Sequence, residues 1–273
     1  MKRFVLFLLL SGAAGAADLN FSATTTPGAR IGVSGLDLGG FDVGVGVSNL
    51  GADASVARGL DLSALGTLNA GVTVFAGFGG GFAVRGTAGG TLGPFAVNAR
   101  LNVSPTRLDP LAGFDLEPSV LASGSARYRV SRDLVVTASG ELGDQPSAAV
   151  SGEWRQGDLN VRLGARAGQN VAGALLGATL RGEVLTLSLD GLVGVNSLGA
   201  VGSVTAPDLL GENTSLRAYV AYEPWRTAAV PLRYGADATL PVGPGELTAG
   251  LRGGTGSVAA RVSYRLPLGE EEE

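Results

Sequence analysis

The chain has 273 residues, of which 45% are hydrophobic, 16% are charged and 45 are glycine, and it contains neither Cys nor His. A net charge of −4 with a mean hydropathy of +0.28 excludes a disordered chain, because such chains combine low hydrophobicity with high net charge. The missing residue types exclude His-based nucleophile systems, His or Cys metal sites and disulfides. We therefore expect a folded protein that is not an enzyme and holds no metal or cofactor.

The N-terminus has the pattern of a secretory signal peptide. Lys2 and Arg3 precede an apolar stretch, 4–10, and a run of small residues, 11–17. The apolar stretch is much shorter than the ~20 residues that cross a bilayer as a helix. We predict a signal peptide over 1–17, cleaved near Ala16 or Ala17, with a short buried helix as the alternative. The mature chain would then begin near Asp18 and lie outside the cytoplasm.

The mature chain alternates apolar and polar residues with a period of two, which indicates β-strands with one apolar and one polar face. The clearest segments are 95–103, 124–130, 159–166, 232–240 and 258–266. Short turn-like sequences separate them, and connections of that length join antiparallel neighbours. The pattern predicts about 16–18 short strands in an antiparallel up-and-down arrangement. Counts of about 14 or 16 stay open because the registers around 52–65 and 171–180 are ambiguous.

The composition of the two faces favours a membrane barrel over a soluble sandwich. A sandwich would show a polar face rich in Lys and acids and a core rich in Ile and Leu, but Lys2 is the only Lys and Ile31 the only Ile. Strands of about ten residues suit a tilted membrane crossing with an apolar lipid face and a polar lumen. We predict one all-β transmembrane barrel over 18–268 and a disordered acidic tail over 269–273. A soluble secreted all-β domain is the alternative.

The last predicted strand, 258–268, places Val262, Tyr264, Leu266 and Leu268 at alternate positions. In this strand and in its overall pattern, the mature chain resembles bacterial outer-membrane β-barrels of the porin-like kind, although Leu268 stands where such strands usually end in an aromatic residue. The resemblance implies an outer-membrane location, contact with the lipid bilayer and passive passage of small hydrophilic solutes.

In such a barrel the polar face of each strand lines the lumen. The predicted lumen-lining Arg residues are Arg30, Arg85, Arg100, Arg127, Arg129, Arg155, Arg162, Arg166, Arg217, Arg233, Arg252, Arg261 and Arg265, and the predicted acids are Asp42, Asp53, Glu141, Glu153, Asp190, Glu223 and Asp237. Thirteen Arg minus seven acids leaves six positive charges. This excess predicts a weak anion preference. The alternative is that Arg and carboxylates pair and stiffen the wall, which we favour for Glu141, Glu153, Arg155 and Arg127.

One connection, 104–118, is long and Pro-rich and contains Asp109, Asp115 and Glu117. The porin resemblance implies that such a loop folds into the lumen and forms a constriction opposite a basic wall. The alternative, which we favour, is an exposed loop that contacts solvent or a partner.

Other functions find less support in the sequence. A pI near 5.0 without basic and aromatic clusters argues against nucleic-acid binding. The glycine run Gly79-Gly80-Gly81 lacks the Lys of a phosphate loop and is interpreted as a turn. A structural or adhesive role among other cell-envelope proteins remains the alternative to a channel, and the short connections weaken it, because binding surfaces are usually built from long loops.

Overall fold

A computed structural model of the chain describes residues 17–25, 28–104, 120–143, 145–195, 197–224 and 230–268. These residues form eighteen β-strands and one short 3₁₀ turn, Ser63–Leu65. The strands are β1 Asp18–Thr24, β2 Gly28–Asp37, β3 Asp42–Ser48, β4 Gly51–Asp61, β5 Thr67–Gly77, β6 Phe82–Leu92, β7 Phe95–Val103, β8 Val120–Arg129, β9 Leu134–Leu142, β10 Ser147–Gln156, β11 Leu159–Gly168, β12 Ala172–Arg181, β13 Thr186–Gly194, β14 Ser197–Pro207, β15 Ser215–Tyr222, β16 Leu232–Val242, β17 Gly245–Gly254 and β18 Ser257–Pro267. No helix long and apolar enough to cross a membrane occurs in this part of the chain.

The strands form one closed antiparallel barrel. Each strand pairs with the strands before and after it in the chain, and β1 also pairs with β18, with Asp18 opposite Pro267 and Thr24 opposite Arg261. Closure leaves no sheet edge with unpaired backbone groups. The predicted all-β up-and-down barrel is confirmed, and the strand number lies at the top of the predicted range.

The alternating segments of the sequence became strands because a period of two matches the pleat of a sheet. The predicted segment 95–103 is the whole of β7, and 159–166 lies within β11. The ambiguous region 52–65 holds most of β4 and the 3₁₀ turn, and the ambiguous region 171–180 corresponds to β12.

Several hairpin turns depend on glycine. The two-residue turns between β6 and β7, between β10 and β11 and between β16 and β17 each begin with a glycine, and Gly93, Gly157 and Gly243 have φ values of 56°, 60° and 59°. A glycine at the first central position with positive φ is typical of the type II′ turn, whose twist matches that of antiparallel strands. These turns therefore join strands with only two residues.

The apolar residues face outwards. Large hydrophobic side chains such as Ile31, Leu163, Leu189 and Val262 are exposed, whereas only Ala17, Val171, Leu192, Ala206, Ala221 and Ala259 are buried apolar residues among those described. A water-soluble domain would bury such side chains in a core. The outer surface is therefore the apolar face, and the polar face of each strand points into the barrel.

The barrel encloses a wide lumen. All strands in extensive contact are neighbours in the sheet, so none of the described strands packs across the interior. Eighteen strands at the usual spacing and tilt give a barrel of roughly 35 Å between opposite backbones. We call the barrel end that carries the start of β1 and the end of β18 the terminal rim, and the other end the distal rim.

Candidate functional site

The lumen face holds twelve Arg, Asp and Glu residues that the sequence pattern predicted to lie there. They alternate with exposed apolar neighbours, as Glu153 does with Trp154 and Arg162 does with Leu163. The twelve are Arg100, Arg127, Arg129, Arg162, Arg166, Arg233, Arg261, Arg265, Glu141, Glu153, Asp190 and Asp237. Their strand positions therefore place them on one continuous inner surface.

The strand registers also show charged residues that the sequence pattern missed. Asp18, Asp37, Asp61, Glu246 and Arg181 lie at strand ends, on the same face as the lumen residues of the neighbouring strands. With them the lumen face of the described residues holds 14 Arg and 11 acids. The excess is therefore three positive charges instead of the predicted six. Strand ends were hard to place from sequence because alternation fades where turns begin.

Four ion pairs on this face skip a strand. Arg30 on β2 pairs with Asp53 on β4 at 2.6 Å, and Arg162 on β11 pairs with Asp190 on β13 at 2.7 Å. The other two are Arg127 with Glu153 at 3.5 Å and Arg166 with Glu141 at 2.9 Å. Long Arg side chains thus reach across the intervening strand to a carboxylate two strands away.

In two of these pairs a glycine on the intervening strand makes the reach possible. A Cβ added to Gly46, between Arg30 and Asp53, would lie 2.3 Å from Arg30 Nη2. A Cβ added to Gly177, which lies opposite both Arg162 and Asp190, would lie 2.2 Å from Asp190 Oδ1. These two glycines leave the space that the ion pairs occupy.

A serine on β10 supports the Arg166–Glu141 pair. Arg166 donates two hydrogen bonds to Ser147 Oγ, at 3.2 and 3.0 Å, and one to Glu141 Oε2. Glu153 likewise accepts a hydrogen bond from Asn160 Nδ2 at 3.2 Å. The Arg127–Glu153 pair lies within the set that we favoured from the sequence, whereas Glu141 pairs with Arg166, which lies outside that set.

Arg155 behaves differently from its predicted partners. Its guanidinium donates to the carbonyl of Gly157 at 3.2 Å. This hydrogen bond connects the end of β10 to the following turn. Arg155 therefore stabilises the hairpin at the terminal rim.

A second type of pair joins adjacent strands. Arg252 on β17 donates to both carboxylate oxygens of Asp237 on β16 at 2.9 Å, and its guanidinium carbon lies 5.4 Å from the centre of the Tyr219 ring. Gly235 lies between the side chains of Tyr219 and Arg252, since a Cβ at this position would be 2.6 Å from Tyr219 and 2.8 Å from Arg252. Two parallel hydrogen bonds and a cation–π contact fix the geometry of this Arg.

Burial separates one pair from the rest. The side chains of Arg233 and Glu223, near the distal rim, are 5% and 12% exposed, whereas Arg162 and Asp190 are 39% and 40% exposed. Ion pairs that water reaches contribute about 0–1 kcal/mol, and removal of one partner of a buried pair costs about 3–5 kcal/mol. The Arg233–Glu223 pair therefore matters most for stability, and the others mainly shape the charge of the wall.

The wall from β5 to β8 carries basic residues without acids. Its lumen face holds Arg85, Arg100, Arg127 and Arg129, and none of the described residues of these four strands is a carboxylate. A cavity of about 630 Å³ opens onto this part of the wall and continues to β11. Its lining includes Thr87, Asn98, Arg100, Ser123, Glu141 and Arg166. The side chains around Arg100 are mostly hydroxyls and amides, which suit a surface wetted by water and polar solutes.

The predicted constriction residues Asp109, Asp115 and Glu117 lie outside the described residues. The long connection itself has the predicted position, because β7 ends at Val103 and β8 begins at Val120. Within the described ranges, no cluster of three or more acidic residues is arranged to hold a metal ion.

Comparison with known proteins yields similarity of structure without similarity of sequence. No protein-family model and no curated protein matches the sequence. A mutant of the Rhodopseudomonas blastica porin aligns with 12% identity and a TM-score of 0.49, over 92% of this chain and 98% of that one. Pseudomonas putida OprB, in a low-pH structure, aligns with 11% identity and a TM-score of 0.48, over 97% of this chain and 95% of that one.

The observed architecture is a porin-like barrel in its own right. It has eighteen antiparallel strands in a closed ring, an apolar exterior and a charged lumen. Barrels of 16–18 strands are wide enough to leave an aqueous channel between their walls. The site that this fold defines is the lumen itself, with the Arg-rich arc of β5 to β8 on one side.

Proposed function

We propose that this protein is an outer-membrane β-barrel that acts as a passive diffusion channel for small hydrophilic solutes. One observation carries the proposal: a closed barrel exposes its apolar side chains on the outside and, apart from Arg58 on the outer face of β4, places the charged side chains of its described strands on the inside. A lipid bilayer is the surrounding that such an exterior requires, and water is the content that such a lumen requires. Passage through the lumen needs no catalytic group.

The N-terminal sequence supports export. Lys2, Arg3 and the apolar stretch 4–10 fit a signal peptide, and β1 begins at Asp18, directly after the predicted peptide. Most strands have 8–11 residues, the length that crosses a bilayer when tilted. These features favour the outer membrane as the location and its lipids as the main partner.

The lumen charge supports a weak anion preference. The lumen face of the described residues has an excess of three Arg over acids. The strands β5 to β8 contribute four of these Arg and no carboxylate, and one of the four, Arg127, contacts Glu153 on β10. Fixed positive charge in a channel raises the local concentration of anions. The paired residues elsewhere contribute less, because Arg30, Arg162, Arg166, Arg233, Arg252 and Arg265 each have a carboxylate within ion-pair distance.

The proposal is tested in two stages with the mature protein refolded in detergent. A closed barrel should migrate as a compact band in unheated SDS and slow on boiling, because all its backbone hydrogen bonds are satisfied within the ring. Addition to a planar bilayer should then produce stepwise increases in current. A heat-modifiable barrel that never conducts would favour the structural or adhesive role, and a protein that is soluble without detergent would contradict both.

A further inference from the structure

The terminal rim is strongly acidic. The rim comprises the turns at that end and, in each strand, the two residues nearest that end. Of these two strand residues, only those on the lumen face are counted. The acids are Asp18, Asp37, Asp42, Asp61, Asp133, Asp158, Glu183, Asp208, Glu212 and Glu246, and the bases are Arg129, Arg132, Arg155 and Arg181. Ten acids minus four Arg leave six negative charges around this opening, and one of these acids, Asp18, contacts Arg265 of the interior at 3.1 Å.

The interior between the rims has the opposite sign. Its bases are Arg30, Arg85, Arg100, Arg127, Arg162, Arg166, Arg217, Arg252, Arg261 and Arg265, and its acids are Asp53, Glu141, Glu153, Asp190 and Asp237. Ten Arg minus five acids leave five positive charges. At the distal rim, the described residues carry the Arg233–Glu223 pair, whose charges cancel, and Glu141 at the end of β9, which is counted with the interior because it contacts Arg166.

Among the remaining charges, Arg58 lies on the outer face of β4, with its guanidinium carbon 4.7 Å from the centre of the Phe41 ring. The connections at the distal rim also contain Arg107, Arg226, Asp109, Asp115, Glu117 and Asp144, and the tail after β18 contains Glu270 to Glu273. The first group has a net charge of −2 and the second of −4. The terminal rim is thus more acidic than the distal rim, and the basic interior lies between the two rims.

We propose that these two zones, a basic lumen and an acidic terminal rim in series, make the channel conduct more current in one direction than in the other. The inference rests on the proposed function, because it requires an open lumen. The basic zone holds an excess of anions and the acidic zone an excess of cations. When the terminal side is positive, anions enter through the basic zone and cations through the acidic zone, and both accumulate where the zones meet. The opposite polarity depletes that junction of both ions.

Salt concentration controls the size of the effect. The Debye length is about 10 Å at 0.1 M salt and about 3 Å at 1 M, against a barrel that is roughly 35 Å wide. Fixed charges therefore govern much of the lumen cross-section at low salt and little of it at high salt. We expect the currents at opposite voltages to differ roughly 1.5-fold near 0.1 M KCl and to become equal near 1 M.

The experiment records single channels of known orientation in a planar bilayer. The chain has no Cys, so a single Pro94→Cys substitution in the exposed turn between β6 and β7 provides a biotin label, and streptavidin added to one chamber shows which side holds the terminal rim. The expected result is the larger current with the terminal side positive. Equal currents at low salt in a conducting channel, or the larger current at the other polarity, would overturn the inference and leave the channel function intact. Absence of conductance would overturn the proposed function first.

A charge variant with a matched control identifies the cause. Asp133→Asn, Asp158→Asn, Glu183→Gln, Asp208→Asn and Glu212→Gln together remove five acids from exposed turn positions at the terminal rim. The current ratio should fall to near one at low salt. The control is Arg162→Gln with Asp190→Asn, which removes two lumen charges without changing the net charge and should leave the ratio unchanged. Persistence of the asymmetry in the five-fold variant would contradict the assignment to the rim.

Discussion

Two arcs of the same wall use Arg in different ways. From β9 to β13 the lumen face holds four Arg and three acids, and Arg162 and Arg166 each contact a carboxylate two strands away. From β5 to β8 it holds four Arg and no acid. Equal numbers of Arg thus give a nearly neutral arc and a basic one, and the Arg127–Glu153 pair joins the two. The effect of a lumen Arg on a passing solute depends on which residues lie within its reach, one or two strands away.

The largest expected effect comes from the one pair that water barely reaches. Glu223→Gln removes the carboxylate that contacts the buried guanidinium of Arg233, and we expect a loss of about 3 kcal/mol in the free energy of unfolding. Urea unfolding in detergent micelles, followed by tryptophan fluorescence, measures it. The double variant Glu223→Gln, Arg233→Gln should recover part of this loss. A single variant as stable as the parent would show that burial does not distinguish this pair from the others.

The next effect tests whether the strand-skipping pairs need their glycines. Gly46→Ala places a methyl group against the Arg30 guanidinium and should destabilise the barrel by about 1–2 kcal/mol. Gly140→Ala, at a strand glycine on the outer face of β9, is the control, since a Cβ there would lie 3.8 Å from its nearest neighbour, at ordinary contact distance. The same urea unfolding assay applies to both variants. Equal costs for the two substitutions would mean that the glycine between Arg30 and Asp53 serves the backbone and not the pair.

The third prediction concerns ion selectivity, which distinguishes the two arcs through a smaller effect. Arg85→Gln with Arg100→Gln removes two charges from the basic arc, and we expect the anion-to-cation permeability ratio to fall roughly twofold. The reversal potential in a KCl gradient reports this ratio. A ratio that does not change would show that the basic arc does not face the path of the ions.

The smallest effect is expected in the paired arc. Arg162→Gln with Asp190→Asn removes a water-exposed pair, and stability should change by less than about 1 kcal/mol, with no change in reversal potential. If this variant altered selectivity as much as the substitutions at Arg85 and Arg100, the contrast between the arcs would disappear.

The sequence predicted the barrel well because the signal for a half-buried strand is local. Alternation over 95–103 is enough to assign β7, its faces and the inward position of Arg100. The partners of lumen charges are not local, since Arg30 and Asp53 are 23 residues apart and meet only because β3 contributes a glycine between them. Strand ends were also missed, because Asp18 and Asp61 lie where alternation gives way to turns. The charge excess was therefore overestimated.

The central claim is an open, water-filled lumen inside a membrane-spanning barrel, and the conductance of single refolded channels in a planar bilayer tests it most directly. The account predicts stable steps on the order of 1 nS in about 1 M KCl, as expected for a barrel of 16–18 strands with an aqueous lumen. It also predicts a reversal potential that favours anions in a salt gradient. A heat-modifiable barrel that inserts into the bilayer without any current step would contradict the claim.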